Sequence, residues 1–401
     1  MTATAAAPTR GPAGASRTLA GLGLGGFVVL GLPDGMWGTA WPAMRHTFHQ
    51  PLGSLGLILL FATAGNLVTS LSTGRTLRRF GVGRLLVVAG LIAAVGALLL
   101  AVASVWAMVL AGALLIGMAA GLLDTGLNTV IALSGRLRLL NMLHGAYGVG
   151  SALGPLVVTA AILITSWRPA YVLLIALELL LAYGWWRTSS HWTPDVADDG
   201  EAAAVADNAD GGGPTTRVGL LVGLGVAAFF FYTGLEVTAG QWAASFFRGP
   251  LGLSAGAAGP AVFAYWGSLT AARFGIAIPR RTPSPVLLVR IGCIGGLAAS
   301  AIIWWAPSTA AVIIGFALLG AVLAPVFPAL VTLTPVRIGA ARAQHAIGWQ
   351  IAGANVGAAG LSAVTGVILQ HAGLRTLGPC LVVIAVVLIA CNAALELLSR
   401  R

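Results

Sequence analysis

Apolar runs of roughly 20 residues, each long enough to cross about 30 Å of hydrocarbon as a helix, recur along this 401-residue chain from residue 18 almost to its end. Short polar interruptions separate them. Charged residues make up 8% of the chain, against about 25% in an ordinary soluble domain, too few to cover a water-facing surface. The 55 glycines are spread through the apolar runs rather than gathered in loops, which suits membrane helices whose backbones approach closely. Spans are expected near 18–43, 53–74, 83–103, 105–133, 141–165, 169–187, 217–245, 255–278, 284–305, 308–333, 343–370 and 375–398.

The formal charge of +11 comes entirely from arginine, since the chain has no lysine. No basic and aromatic stripe accompanies it, so nucleic acid is not an expected partner. The arginines fall instead in alternate short loops, as in Arg75/Arg78/Arg79/Arg84, Arg136/Arg138, Arg280/Arg281 and Arg337/Arg342, with Arg45, Arg168, Arg248 and Arg375 as exceptions. By the positive-inside rule both termini are then cytoplasmic and the number of spans even. Arg273 and Arg290 fall inside spans, where they either snorkel to the cytoplasmic end or pair with a buried acid. Cys293, Cys380 and Cys391 lie in apolar runs without metal-ligand spacing and read as buried thiols, with no metal and no cofactor expected.

Residues 193–216 are acidic, Ala/Gly-rich and without apolar periodicity, the composition of a flexible linker. They divide six spans from six. The expected domains are a disordered tail over 1–17, a six-helix bundle over 18–192, the linker, and a second bundle over 217–401. The halves echo each other: Asp34 and Glu236 stand 202 positions apart, as do Arg78-Arg79 and Arg280-Arg281, and Gly150-x-x-x-Gly154 precedes Gly353-x-x-x-Gly357 by 203. The fold class that follows is an all-α membrane protein of twelve transmembrane helices in two pseudo-symmetric six-helix bundles, with a site between the halves.

Of the 11 acidic residues six lie in the linker, and Glu396 sits near a span end. Asp34, Asp124, Glu178 and Glu236 remain within spans, where an ionised carboxylate costs about 2.5–3.5 kcal/mol and needs a partner, water or a proton. Asp34, Trp37 and Trp41 share one helix face, a carboxylate beside aromatic plates that suits a hydroxylated ligand; alternatively the tryptophans are interfacial anchors and Asp34 a cap. Asp124 and Asn128 stand one turn apart, either as a proton-carrying acid with its partner or as a hydrogen bond between helices. Glu236, with Tyr232 one turn before it and Gln241 and Trp242 after it, is the counterpart of Asp34. His144, Tyr147 and Ser151 give the fifth span a polar face, with Gln350 and Asn355 as weaker equivalents in the eleventh. Glu178 has few polar neighbours and reads as a packing residue outside the site. No nucleophile–base set or phosphate-binding loop is present, so no enzyme activity is expected.

The whole-chain layout resembles the Major Facilitator Superfamily, whose signature loop is similar to Gly74-Arg75-Thr76-Leu77-Arg78-Arg79-Phe80-Gly81-Val82-Gly83-Arg84, although Arg78 stands where the usual pattern has an aspartate. Within it, Asp34, the pair Asp124 and Asn128, and Leu140-Asn141 resemble the fucose/galactose/glucose proton symporter family. That resemblance implies that Asp124 carries the coupled proton and that Asp34 contacts sugar. Asp124 is shorter than that family's glutamate, and His144 and Tyr147 replace its glutamine and asparagine. Gly150-Ser151-Ala152-Leu153-Gly154-Pro155 looks like the motif of proton-coupled drug antiporters. The expectation is proton-coupled movement of a small polar solute such as a sugar through the cytoplasmic membrane. Asp34, Asp124 and Glu236 would handle protons, and Asp34, Trp37, Trp41, Asn128, His144, Tyr147, Tyr232, Glu236, Gln241, Trp242, Gln350 and Asn355 would bind the solute. Efflux of amphipathic or cationic compounds and a non-transporting sensor are the alternatives. The expected partners are solute, proton and lipid bilayer, with the chain working as a monomer.

Overall fold

A computed structural model describes residues 13–133, 137–192, 215–277 and 283–399. Among these residues the chain forms thirteen α-helices, three short 3-10 turns and no strand. The first half holds α1 (Ala13–Thr47), α2 (Leu55–Phe80), α3 (Val82–Ala101), α4 (Trp106–Leu133), α5 (Leu137–Ile164) and α6 (Arg168–Arg187). The second holds α7 (Thr215–Arg248), α8 (Ala255–Ala277), α9 (Pro285–Trp305), α10 (Thr309–Leu323), α11 (Val326–Ile338), α12 (Ala340–Ala372) and α13 (Leu377–Ser399).

Eleven segments are long and apolar enough to cross a membrane, with α10 and α11 counted together over Thr309–Ile338. The twelfth span is α8, which has the length, 23 residues, but dilutes its hydropathy with Tyr265, Ser268, Thr270 and Arg273. The expected tenth span is thus broken rather than continuous. Pro325 follows the end of α10, and a proline inside a helix removes one backbone hydrogen bond and collides with the preceding turn. Helix α1 begins at Ala13, within the stretch read as tail. The rest of that tail, linker residues 193–214, Arg280, Arg281, and the side chains of Arg78, Leu140 and Asn141 lie outside the described residues.

Local chemistry sets several boundaries. Ser284 and Ser308 accept hydrogen bonds from the Leu287 and Ala311 amides at the starts of α9 and α10, each using an amide that has no partner inside its own helix. Once formed, the helices hide several tryptophans and turn some leucines outward. Trp37, Trp41, Trp185 and Trp242 are at most 1% exposed, while Leu71 is 86%, Leu180 67% and Leu397 66% exposed. Large exposed aliphatic faces of this kind match lipid tails and not water.

The two halves repeat one packing plan. In the first, α1 packs on α5, α2 on α4, and α3 on both α4 and α6; in the second, α7 packs on α12, α8 on α10, and α9 on both α10 and α13. Backbones cross closely in both halves. A Cβ on Gly150 would lie 1.9 Å from the Val28 carbonyl oxygen, and one on Gly357 2.1 Å from the Phe230 carbonyl oxygen. Small residues let these backbones touch. The halves meet through α5 against α8, α2 against α12, and α1 against α7.

Arg217 donates to the Leu398 carbonyl at 2.7 Å, so the start of α7 and the end of α13 share one end of the bundle. At the opposite end Trp167 donates to Thr47 at 3.3 Å and the Gly53 amide donates to Gln370 at 3.0 Å. The latter bond ties α2 and α12 together there. Leu71 of α2 and Trp349 of α12, toward the other end, are exposed.

Of the three thiols Cys293 is buried, whereas Cys380 and Cys391 are half-buried and not fully enclosed as expected. Both stand on α13, which packs on fewer neighbours than the inner helices and presents its other faces outward.

Substituting Gly150 with valine is expected to destabilise the chain by about 1–3 kcal/mol, the usual cost of overpacking, because the obstacle is backbone. Gly74→Ala, where an added methyl meets nothing within 4 Å, should leave the thermal midpoint of the purified protein unchanged or slightly raised.

Candidate functional site

A cavity of about 360 Å³ lies between the halves. Asp34, Trp37, Asp124, His144 and Tyr147 reach it from the first half, and Gln241 and Asn355 from the second. These seven expected residues therefore come together although they are distributed over α1, α4, α5, α7 and α12.

Asp34 sits one residue after Pro33 inside α1. Its side chain accepts a hydrogen bond from the Tyr147 hydroxyl of α5, brought near by the close α1–α5 crossing. Its backbone carbonyl accepts from Gln241 of α7 at 2.8 Å, a bond that joins the two halves beside the cavity. Asp124 accepts from Asn128 at 2.9 Å and lies within electrostatic reach of His144. The His144 ring in turn meets Phe27 edge-on, with centroids 5.7 Å apart.

Glu236 repeats the first half's pattern with one difference. Its carboxylate accepts from Tyr232, as that of Asp34 does from Tyr147, but Arg273 of α8 also stands 3.4 Å from both of its oxygens. Tyr265 adds a bond to the Glu236 backbone carbonyl at 2.6 Å. Arg273 thus pairs with a buried acid instead of snorkelling. Arg290 also finds an acid, Glu396 of α13. Among the described residues no arginine forms a salt bridge with Asp34, Asp124 or Glu178.

Six expected residues do not line the cavity. Asn128 bonds to Asp124 from behind. Tyr232 and Glu236 are engaged with one another and Arg273. Gln350 accepts from Thr334 at 2.9 Å. Trp41 donates to the Leu52 carbonyl and Trp242 to the Ser362 carbonyl, each at 3.0 Å; both rings are wholly buried and tie a helix end to its neighbour. The face shared by Asp34, Trp37 and Trp41 is divided accordingly. Its first turn looks into the cavity and its last into the protein, because α1 leaves the cavity before Trp41.

Glu178, read as a packing residue, lines the cavity, as do Asn66 and Trp266. For Glu178 the same cost argument that singled out the other intramembrane acids was the available signal; the lack of polar sequence neighbours says nothing about partners on other helices. Asn66 and Trp266 carry no comparable signal, since single polar or aromatic residues occur throughout the spans.

Replacing Arg273 with glutamine leaves the Glu236 carboxylate without its cation, and loss of one partner of a buried pair costs about 3–5 kcal/mol. The partial exposure of Arg273, 24%, places the expected loss near the lower bound. Arg273→Leu combined with Glu236→Leu should recover much of it in a thermal melt, and a double variant no more stable than Arg273→Gln would show that the pair is not the source.

A sequence profile described as the Major Facilitator Superfamily matches residues 22–359. No curated protein matches the chain by sequence. Similar solved structures include the nucleoside transporter NupG, with TM-score 0.73 and 14% identity over 95% of this chain and 99% of that one. The D-xylose-proton symporter is similar at TM-score 0.72 and 15% identity over 93% and 97%, and the human organic anion transporter MFSD10 at 0.65 and 15% over 96% and 100%. At such identities the structural likeness speaks for the fold. The profile match spans most of the chain, and with the repeated six-helix plan it places this protein in the Major Facilitator Superfamily.

Proposed function

We propose that this protein is a secondary active transporter that moves a small polar solute, a sugar by its chemistry, across the cytoplasmic membrane in exchange for the energy of a proton gradient. The observation that carries the reading is the pairing of Asp34 with Tyr147 and of Asp124 with Asn128 at the wall of one cavity shared by both halves. Among the described residues neither acid forms a salt bridge with an arginine. A carboxyl held by a neutral donor inside a membrane can gain and lose a proton with modest rearrangement, whereas Glu236 has Arg273 as its ion-pair partner.

The rest of the wall suits a hydroxylated solute. Trp37 and Trp266 offer flat apolar faces, and Asn66, Gln241 and Asn355 offer amides that both donate and accept. Two similar folds bear names of hydroxyl-rich cargo, D-xylose and nucleosides. The ties at Gly53–Gln370 and Asp34–Gln241 join the halves at one end and beside the cavity, and by the positive-inside rule the arginine-rich opposite end would face the cytoplasm. Rocking of the two bundles about the α5–α8 and α2–α12 contacts would expose the cavity to each side in turn. Asp34, Asp124 and Glu178, which among the described residues pair with no arginine, also favour a cationic cargo, which makes efflux of an organic cation the second reading.

A thermal-shift screen of the purified protein against sugars, nucleosides and organic cations separates the two readings, because a bound solute raises the midpoint. For the solute so found, Asp124→Asn in proteoliposomes is expected to abolish accumulation driven by a proton gradient while counterflow persists. Undiminished accumulation would remove Asp124 from proton coupling, and stabilisation by organic cations alone would replace the sugar reading with efflux.

A further inference from the structure

Glu178 stands outside the hydrogen-bonded pairs described above. It lies in the middle of α6, 5% exposed, and contributes to the cavity wall beside Ala89 and Ala93 of α3. Among the described residues its Oε2 has no hydrogen-bond partner. Tyr171 and Trp185, seven residues before and after it on the same helix face, likewise have a hydroxyl and an indole N–H without partners. Seven residues rise about 10 Å, too far for either to bond to Glu178.

The charged and titratable groups facing this carboxyl can be named element by element. On α6 itself Arg168 and Arg187 stand at the two ends, about 15 Å and 14 Å along the axis, with Tyr171 and Tyr183 between; Arg168 donates instead to the Ala103 carbonyl at 2.8 Å. Helix α3 backs Glu178 with Gly90 and brings only Arg84, which is exposed near the helix start. Helix α1 brings Asp34, and α5 brings His144 and Tyr147; Asp124 of α4 shares the same cavity. None of these forms a hydrogen bond or ion pair with Glu178.

A carboxyl inside a membrane exists paired with a cation, surrounded by donors, or carrying a proton. The first two are missing for Glu178 among the described residues. We infer that Glu178 is a further proton-binding site, a carboxyl that opens on the first-half wall of the cavity and loads and releases its proton separately from Asp34 and Asp124. The inference rests on the proton-coupled reading and extends it to a helix that sequence spacing leaves out. Small neighbours make the site accessible: Ala89 and Ala93 leave room between α3 and α6 where larger side chains would seal the carboxyl from the cavity.

Dicyclohexylcarbodiimide tests this on the unaltered full-length protein in detergent. The reagent takes the proton of a carboxylic acid on one nitrogen while the carboxylate oxygen bonds to its central carbon, so only the protonated form reacts and every atom is retained. Peptide mapping by mass spectrometry is expected to find the adduct on Glu178, decreasing as pH rises through the group's titration, with Glu236 unmodified beside Arg273. In a substrate-free pH jump read by an indicator dye, Glu178→Gln should release one proton fewer per chain than the unaltered protein. An unmodified Glu178, a pH-independent adduct, or equal proton counts would each overturn the assignment. Persistence of accumulation in Asp124→Asn would instead strike the proton-coupling role of Asp124 and leave the Glu178 adduct unchanged, so the two failures are distinguishable.

Discussion

The low polarity of the hydrocarbon slab governs this structure, since each charge that enters it requires a cation, a set of donors or a proton. Glu236 meets the requirement with Arg273 and Tyr232, Asp34 with the Tyr147 hydroxyl, and Asp124 with Asn128. These arrangements differ in chemical consequence. The first pairs a carboxylate with a guanidinium, whereas the other two hold a carboxyl through neutral groups.

The Asp34 carboxyl meets its donor at the cavity because the backbones approach so closely. With no hydrophobic drive between helices in lipid, tight contact comes from packing, and the paired approaches at Gly150 and Gly357 bring α1 onto α5 and α7 onto α12. The Tyr147–Asp34 bond crosses the first of these seams directly. Packing and site chemistry are therefore one design, since moving α1 from α5 would leave Asp34 without its donor.

The pseudo-symmetry between the halves is faithful in packing and unequal in charge. The same helix pairs form in each bundle, and an acid with a tyrosine partner stands on α1 and on α7. Among the described residues an arginine reaches the acid of the second half alone. Asp34 and Asp124 of the first half are held by neutral donors instead.

The amino-acid sequence by itself determined the membrane setting, the count of spans, their division into two related halves, and which acids stand where a charge is costly. All of these follow from local hydropathy and spacing along one chain. It could not tell which partner each acid finds: Arg273 was equally able to snorkel, Glu178 had no sequence neighbour to mark it, and Trp41 shares a helix face with Asp34 yet turns into the protein. The break after α10 was present as Pro325 but had no periodicity to reveal whether the span would bend or stop. Only tertiary packing decided these matters, because whether a buried group is paired, lines a cavity or fills a seam depends on atoms brought in by other helices.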